Sequence, residues 1–190
     1  MSNELIKRIL SSLILIPIFF FFIIKGSYLF TIFLLICLVV IFYEWHMMSK
    51  KKSYRVFGFI FLLISFYAIY KLRIDNDHWF MLFITMICVS TDLGGYVFGN
   101  ILKGPKLTKI SPNKTYAGMI GGYLLSILST IIFADFYFRY ELSIKLFIFV
   151  MIISTISQLG DLVISYYKRL SKIKDTGKII PGHGGLLDRV

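Results

Sequence analysis

Long apolar runs, separated by short polar segments, limit the fold of this chain more than any other feature. Of the 190 residues, 57% are hydrophobic, which is more apolar surface than a soluble domain of this size buries. Helices are expected, because an open sheet leaves backbone groups unsatisfied in lipid. We therefore predict an all-α, polytopic membrane protein, one integral membrane domain over residues 1–190. Its six predicted transmembrane helices lie at about 9–24, 27–43, 56–70, 79–99, 116–134 and 145–167.

The charge of the chain is strongly positive, with 21 Lys and Arg against 10 Asp and Glu and a formal net charge of +11. In a soluble protein this excess would suggest nucleic acid binding. If the N-terminus is cytoplasmic, however, 16 of the 21 cations fall in segments on the inner side and 5 in segments outside. Positive charge accumulates on the cytoplasmic side of membrane proteins. We therefore predict a cell (inner) membrane protein with both termini cytoplasmic and no nucleic acid partner.

Two carboxylates, Asp92 and Asp161, lie inside predicted spans. A charge at the centre of a span is unfavourable by about 2.5–3.5 kcal/mol on insertion scales, so each should face a protein interior or water. Steps of three and four residues place small or polar side chains on one face of a helix. On the fourth span these are Thr85, Cys88, Asp92, Gly95 and Gly99. On the sixth they are Ser154, Ser157, Gln158, Asp161, Ser165 and Lys168.

The two polar stripes predict a polar cavity that opens to the cytoplasm. The alternative is that each Asp snorkels or pairs with a lysine for a purely structural reason. Two carboxylates next to segments rich in cations and glycine favour a functional site over that alternative.

The chain ends with SYYKRLSKIKDTGKIIPGHGGLLDRV, residues 165–190, which combines cations, a glycine-rich turn and carboxylates. Fixed positive charges and glycine backbone suit a phosphate-bearing ligand. Carboxylates that remain among such cations suit a hard divalent metal. The chain has no GxxxxGK[ST] loop, and no Ser–His–Asp set is evident. Metal-assisted phosphate chemistry at the membrane surface is therefore the indicated class, with residues 168–190 as a cytoplasmic catalytic segment.

The same stretch resembles the signature of the phosphatidate cytidylyltransferase (CDP-diacylglycerol synthase) family. That signature reads approximately S-x-aliphatic-K-R-x4-K-D-x-small-x2-aliphatic-P-x-H-G-G-aliphatic-x-D-R-aliphatic-D. The residues at that spacing are Ser165, Lys168, Arg169, Lys174, Asp175, Gly177, Ile180, Pro181, His183, Gly184, Gly185, Leu186, Asp188, Arg189 and Val190. A second block, TDLGGYVFGNILKGPKLTKISPNKTYAG, resembles another segment of the family.

The resemblance implies transfer of a cytidylyl group from CTP to phosphatidate, with Mg²⁺ or another divalent metal as cofactor. It implies a metal site formed by Asp161 and Asp188, with Asp92 as a further ligand or a lysine partner. The implied catalytic residues are Lys168, Arg169, Lys174, Asp175, His183 and Arg189. The implied substrate-binding residues are Ser111, Asn113, Lys114, Thr115, Ser165, Gly184 and Gly185. His183 could equally be a turn residue, and a homodimer is compatible with the sequence.

The chain departs from the family pattern at a few positions. The family usually has Glu where this chain has Ala117 and Ile164, and the final Asp of the signature would follow Val190. We therefore expect a shortened or divergent member of the family. Two alternatives follow: a member that binds lipid or nucleotide without turnover, and, ranked last, a transporter that uses Asp92 and Asp161 as an ion path.

Overall fold

A computed structural model of the chain describes residues 3–50, 52–108, 111, 113–134, 143–177, 179–180, 182 and 184–189. These residues form helices, and none of them lies in a β-strand. In chain order they are α1 (Asn3–Lys25), α2 (Ser27–Met48), α3 (Arg55–Asp75), α4 (His78–Leu102), α5 (Tyr116–Phe133) and α6 (Ile144–Leu170). Each helix coincides with one of the predicted apolar runs, to within one residue at the end of α5, so the all-α prediction is confirmed.

Five of these helices, α2 to α6, are long and apolar enough to cross a membrane by length and composition, while α1 has a shorter apolar stretch, Leu10–Lys25. Large apolar side chains lie on the outside of the helices, among them Leu13, Val39 and Ile64, each more than 60% exposed. Water would not solvate such a surface, but lipid would. The polytopic membrane class is therefore confirmed, whereas the cytoplasm-facing cavity stays a prediction.

Contacts divide the chain into two compact units, the first made of residues 1–81 and 168–190. Within it, α2 packs on α3. The close approach depends on Gly58, because a Cβ there would lie 1.7 Å from the ring of the buried Trp45. The indole Nε1 of Trp45 donates a hydrogen bond to the carbonyl of Arg55 at 3.0 Å. This contact fixes the end of α2 beside the start of α3.

Residues 82–167 make the second unit. Its apolar core contains the buried Phe83, Ile87 and Val150. Beside this core, the hydroxyl of Thr91 on α4 donates to that of Ser154 on α6 at 2.9 Å, and both residues are buried. A polar pair of this kind in an apolar surrounding favours one register of the two helices.

Glycine lets α4 and α5 approach closely within the same unit. A Cβ at Gly94 would lie 2.3 Å from the carbonyl oxygen of Gly121, and one at Gly118 would lie 2.7 Å from that of Gly95. Backbones can meet at this distance only where side chains are absent. The contact holds the start of α5 against the middle of α4, near Asp92.

Candidate functional site

Lys168 and Asp188 form a partly buried ion pair in the first unit. The Nζ atom of Lys168, in the last turn of α6, lies 2.7 Å from Oδ1 of Asp188. The other carboxylate oxygen, Oδ2, accepts hydrogen bonds from Thr176 N at 2.9 Å, Thr176 Oγ1 at 3.0 Å and Gly185 N at 3.0 Å. Asp188 therefore has a partner on both oxygens and is held in one orientation.

The electrostatics of Asp188 follow from these contacts. Burial acts to raise the pKa of Asp188, but the hydrogen bonds from Lys168, Thr176 and Gly185 and the charge of Lys168 together lower that pKa below its ordinary value. Asp188 is consequently ionised at neutral pH, with the ammonium of Lys168 as its counter-charge.

A tight turn lies on the chain between Thr176 and Asp188. Ile180 N donates to Gly184 O at 2.9 Å, and Gly184 N donates to Ile180 O at 3.2 Å. Gly182 and Gly184 have φ values of +76° and +93°, a region that favours glycine. The N–H groups of Gly184 and Gly185 thus already bond to Ile180 and Asp188. Their binding of phosphate stays a prediction, and it would require these bonds to be exchanged.

The buried carboxylate of Glu44, which the sequence analysis did not select, also contacts this segment. Its Oε1 accepts from Leu186 N at 2.9 Å and its Oε2 accepts from Leu187 N at 2.8 Å. Oγ1 of Thr176, whose single proton is shared with Asp188 Oδ2, lies 3.1 Å from Glu44 Oε2. The signal in the sequence is a single carboxylate near the end of the otherwise apolar run LLICLVVIFYEWHMM. A carboxylate at that position needs partners, but the sequence does not say which.

A second polar cluster, made of Asp92, Lys114 and Asp161, lies in the second unit. Lys114 and Asp161 form a salt bridge, with side chains 25% and 56% exposed. Asp92 on α4 interacts electrostatically with both. Asp161 therefore does pair with a lysine, as the structural alternative in the sequence analysis expected. The two carboxylates of the cluster could also bind a cation.

The loop before α5 brings Lys114 to this cluster. Leu107 N donates to Lys114 O at 2.8 Å, and Tyr116 N donates to Pro105 O at 3.2 Å, so the loop folds back on itself. Thr115 then caps α5, because its Oγ1 accepts from Gly118 N at 3.1 Å. The side chain of Thr115 therefore has a structural role, and its predicted contact with substrate stays a prediction.

The other predicted site residues fall into three groups. Arg169, Lys174, Asp175 and Arg189 are exposed residues in or next to the segment that holds Asp188. Ser165 lies on α6 and is half-buried, and Ser111 and Asn113 lie on the loop before α5. His183 lies outside the described residues. Within the described part of the chain, no group of three or more His, Cys, Asp or Glu is arranged to hold a metal ion.

Comparison with known proteins identifies relatives over nearly the whole chain. The profile of the cytidylyltransferase family matches residues 6–76 and 56–190. The chain is 36% identical to a phosphatidate cytidylyltransferase of Rickettsia felis over 99% of this chain and 87% of the relative. It is 35% identical to the protein of that name from Rickettsia conorii, over 99% and 86%. A Staphylococcus haemolyticus protein of the same name is 37% identical over 82% of this chain and 62% of its own length.

Proposed function

The chain belongs to the cytidylyltransferase family, and we propose that it transfers a cytidylyl group from CTP to phosphatidate in phospholipid biosynthesis. Relatives named phosphatidate cytidylyltransferase are 35–36% identical to the chain over 99% of its length. The observation that carries the proposal is the Lys168–Asp188 pair, a fixed cation and carboxylate at the end of an apolar helix. Such a position suits a substrate whose phosphate stays at the membrane surface.

In the proposed reaction, a phosphate oxygen of phosphatidate attacks the α-phosphorus of CTP. A new O–P bond forms, the bond between the α-phosphorus and the bridging oxygen breaks, and pyrophosphate leaves with that electron pair. Positioning and charge neutralisation supply most of the catalysis in reactions of this type. Lys168 would face the developing negative charge, and Asp188 would keep its ammonium oriented.

The carboxylates present fit a hard divalent cation such as Mg²⁺. Asp92 and Asp161 offer oxygen ligands and share one lysine charge between them. Oδ2 of Asp188 is filled by three donors, so Asp188 would offer Oδ1, the oxygen bonded to Lys168. The described residues hold no arrangement of three such ligands, so on the family resemblance alone we propose Asp161 and Asp188 as ligands and Asp92 as a further ligand or a lysine partner. When bound, the metal would neutralise phosphate charge and polarise the reacting phosphoryl group.

Lys114, Ser111 and Asn113 are proposed to bind phosphate or cytidine from the loop before α5. The side chain of Lys114 is 25% exposed, and its ammonium forms a salt bridge with Asp161. An incoming phosphate would compete with Asp161 for this cation and leave the carboxylate available to a metal. The loop would thus couple nucleotide binding to metal binding.

We also propose that the segment 165–190 and the loop before α5 are cytoplasmic, where CTP is available. The distribution of cations supports this orientation. A homodimer is a further hypothesis. Counting photobleaching steps of singly labelled protein in lipid bilayers would test it, and a single step per particle would rule it out.

The test of the proposed function is nucleotide and lipid selectivity in liposomes that contain the purified chain. We expect CDP-diacylglycerol to form from CTP and phosphatidate only when a divalent metal is present, and not from ATP, GTP or UTP. Binding of CTP without product would favour a family member that has lost turnover. Ion flux without either substrate would favour the transporter alternative.

A further inference from the structure

Glu44 is a buried charge on a helix that is otherwise apolar. It lies four residues before the end of α2 and is 1% exposed. A buried carboxylate is tolerated only where hydrogen bonds replace its hydration. Among the described residues, its hydrogen-bond partners are Thr176, Leu186 and Leu187, which lie 132 to 143 residues further along the chain. The first half of the chain therefore contributes a specific side chain to the candidate site.

Two glycines of that segment are required by Glu44. A Cβ at Gly185 would lie 2.5 Å from Oε2 of Glu44 and 2.2 Å from Oγ1 of Thr176, and one at Gly177 would lie 2.7 Å from Oε1 of Glu44. Neither glycine has a positive φ. Lack of space, and not backbone conformation, thus requires glycine at both positions. The backbone of the segment thus packs directly against the Glu44 carboxylate at these two positions.

Glu44 is linked to Asp188 through the residues it holds. Oγ1 of Thr176 lies 3.1 Å from Glu44 Oε2 and 3.0 Å from Asp188 Oδ2, so one hydroxyl contacts both carboxylates. Glu44 also binds the N–H groups of Leu186 and Leu187, which immediately precede Asp188. Loss of the Glu44 carboxylate would remove the hydrogen bonds that hold Thr176, Leu186 and Leu187, and thus the residues around Asp188.

We propose that Glu44 is a positioning residue for the transfer reaction: it ties the segment 176–188 to the end of α2 and thereby sets the place of Asp188 and its partner Lys168. The proposal rests on the proposed function for its catalytic consequence, but its structural part stands on the hydrogen bonds alone. Glu44 itself contacts neither substrate nor metal in this account.

The structural part can be tested by hydrogen exchange of the purified protein in detergent. In Glu44→Ala, peptides that cover residues 184–189 should exchange faster by about tenfold or more, because two amides lose a charged acceptor. Glu44→Gln keeps one carbonyl acceptor and should show a smaller increase. Asp75→Ala is the matched control, since Asp75 is an exposed carboxylate paired with Lys71 in the same unit. Unchanged exchange in Glu44→Ala, or an equal increase throughout the helices, would overturn the proposal.

The catalytic part can be tested by titrating Mg²⁺ in the liposome assay. Residues that orient a metal ligand typically change metal affinity by about 10–100-fold when they are removed. Glu44→Ala should therefore raise the half-maximal Mg²⁺ concentration by about tenfold, with Glu44→Gln in between and Asp75→Ala unchanged. If the unmodified chain makes no CDP-diacylglycerol, the proposed function fails and hydrogen exchange alone decides the role of Glu44. If it is active and Glu44→Ala titrates normally, the positioning role fails and the function stands.

Discussion

Lys168 Nζ lies 2.7 Å from Asp188 Oδ1, and the two side chains are only 19% and 5% exposed. Charges that are partly removed from water interact more strongly than an exposed pair, and removal of one partner leaves the other poorly solvated. The pair joins the end of α6 to the segment that follows it. The pair therefore holds that segment against α6, and it is also the centre of the proposed phosphate site.

Replacement of Lys168 should impair substrate use, because its ammonium is the proposed phosphate contact. Lys168→Met keeps the length of the apolar stem but removes the ammonium, so the apparent KM for CTP or phosphatidate should rise and turnover should fall by about a hundredfold. Initial rates at varied CTP and phosphatidate measure both effects. Lys172→Met, at a nearby exposed lysine outside the proposed site, is the control. Equal rates for the two variants would remove Lys168 from the proposed mechanism.

Neutralising Asp161 should alter the response to metal. Asp161→Asn keeps the size of the side chain but removes the charge that a divalent ion requires, so half-maximal activity should need more Mg²⁺. Additional Mg²⁺ should partly restore the rate, whereas additional CTP should not. Asp75→Asn serves as the control. A variant that CTP rescues and Mg²⁺ does not would place Asp161 in nucleotide binding instead.

Two adjacent glycines of α4 should differ sharply in their tolerance of alanine. A Cβ at Gly94 would lie 2.3 Å from the carbonyl oxygen of Gly121, whereas one at Gly95 would lie 3.8 Å from its nearest neighbour, Gly118 O. Gly94→Ala should destabilise the protein by about 1–3 kcal/mol through overpacking, and Gly95→Ala should be neutral or slightly stabilising. Thermal unfolding in detergent measures both. Equal Tm values would mean that α4 and α5 are not in this close contact.

Orientation in the membrane can be tested by cysteine labelling in a chain that lacks Cys37 and Cys88. A membrane-impermeant maleimide added outside intact cells should miss cysteines placed at Lys106 and Lys174 and should react with one placed at Asp75. Permeabilised cells provide the control for reactivity. Labelling of position 174 from outside would contradict the cytoplasmic placement of the proposed CTP site.

The helices could be predicted from the sequence because apolar runs and helix-forming backbones coincide in a membrane protein. Except for α5, the predicted runs are nevertheless shorter than the helices; for example, α6 extends over Ile144–Leu170 and not 145–167. Backbone hydrogen bonding continues past the last apolar residue, so hydropathy alone does not mark the end of a helix. Gly95 and Gly99 could be placed on the small or polar face of α4, but the tightest contact of α4 with α5 is made by Gly94, which lies outside that face pattern.

The candidate site was predictable where residue type alone carries information. Lys168, Asp161 and Asp188 could be selected as charged residues near the membrane, and the resemblance assigned their roles. Glu44 could not be connected to the site, because two of its three partners are backbone amides and all three lie more than 130 residues away. Amides carry no residue identity, so a contact between a carboxylate and a distant turn leaves no local pattern. For the same reason, the sequence does not show that Gly177 and Gly185 are needed to make room for Glu44.

Isotope transfer from CTP shows which phosphorus of the nucleotide is attacked. The purified chain in liposomes with phosphatidate and Mg²⁺ should be supplied with CTP labelled either at the α-phosphorus or at the γ-phosphorus. Attack at the α-phosphorus predicts that the α-label appears in the lipid product and the γ-label in pyrophosphate. Appearance of the γ-label in lipid, or of neither label in lipid although CTP binds, would contradict the assignment of this chain as a phosphatidate cytidylyltransferase.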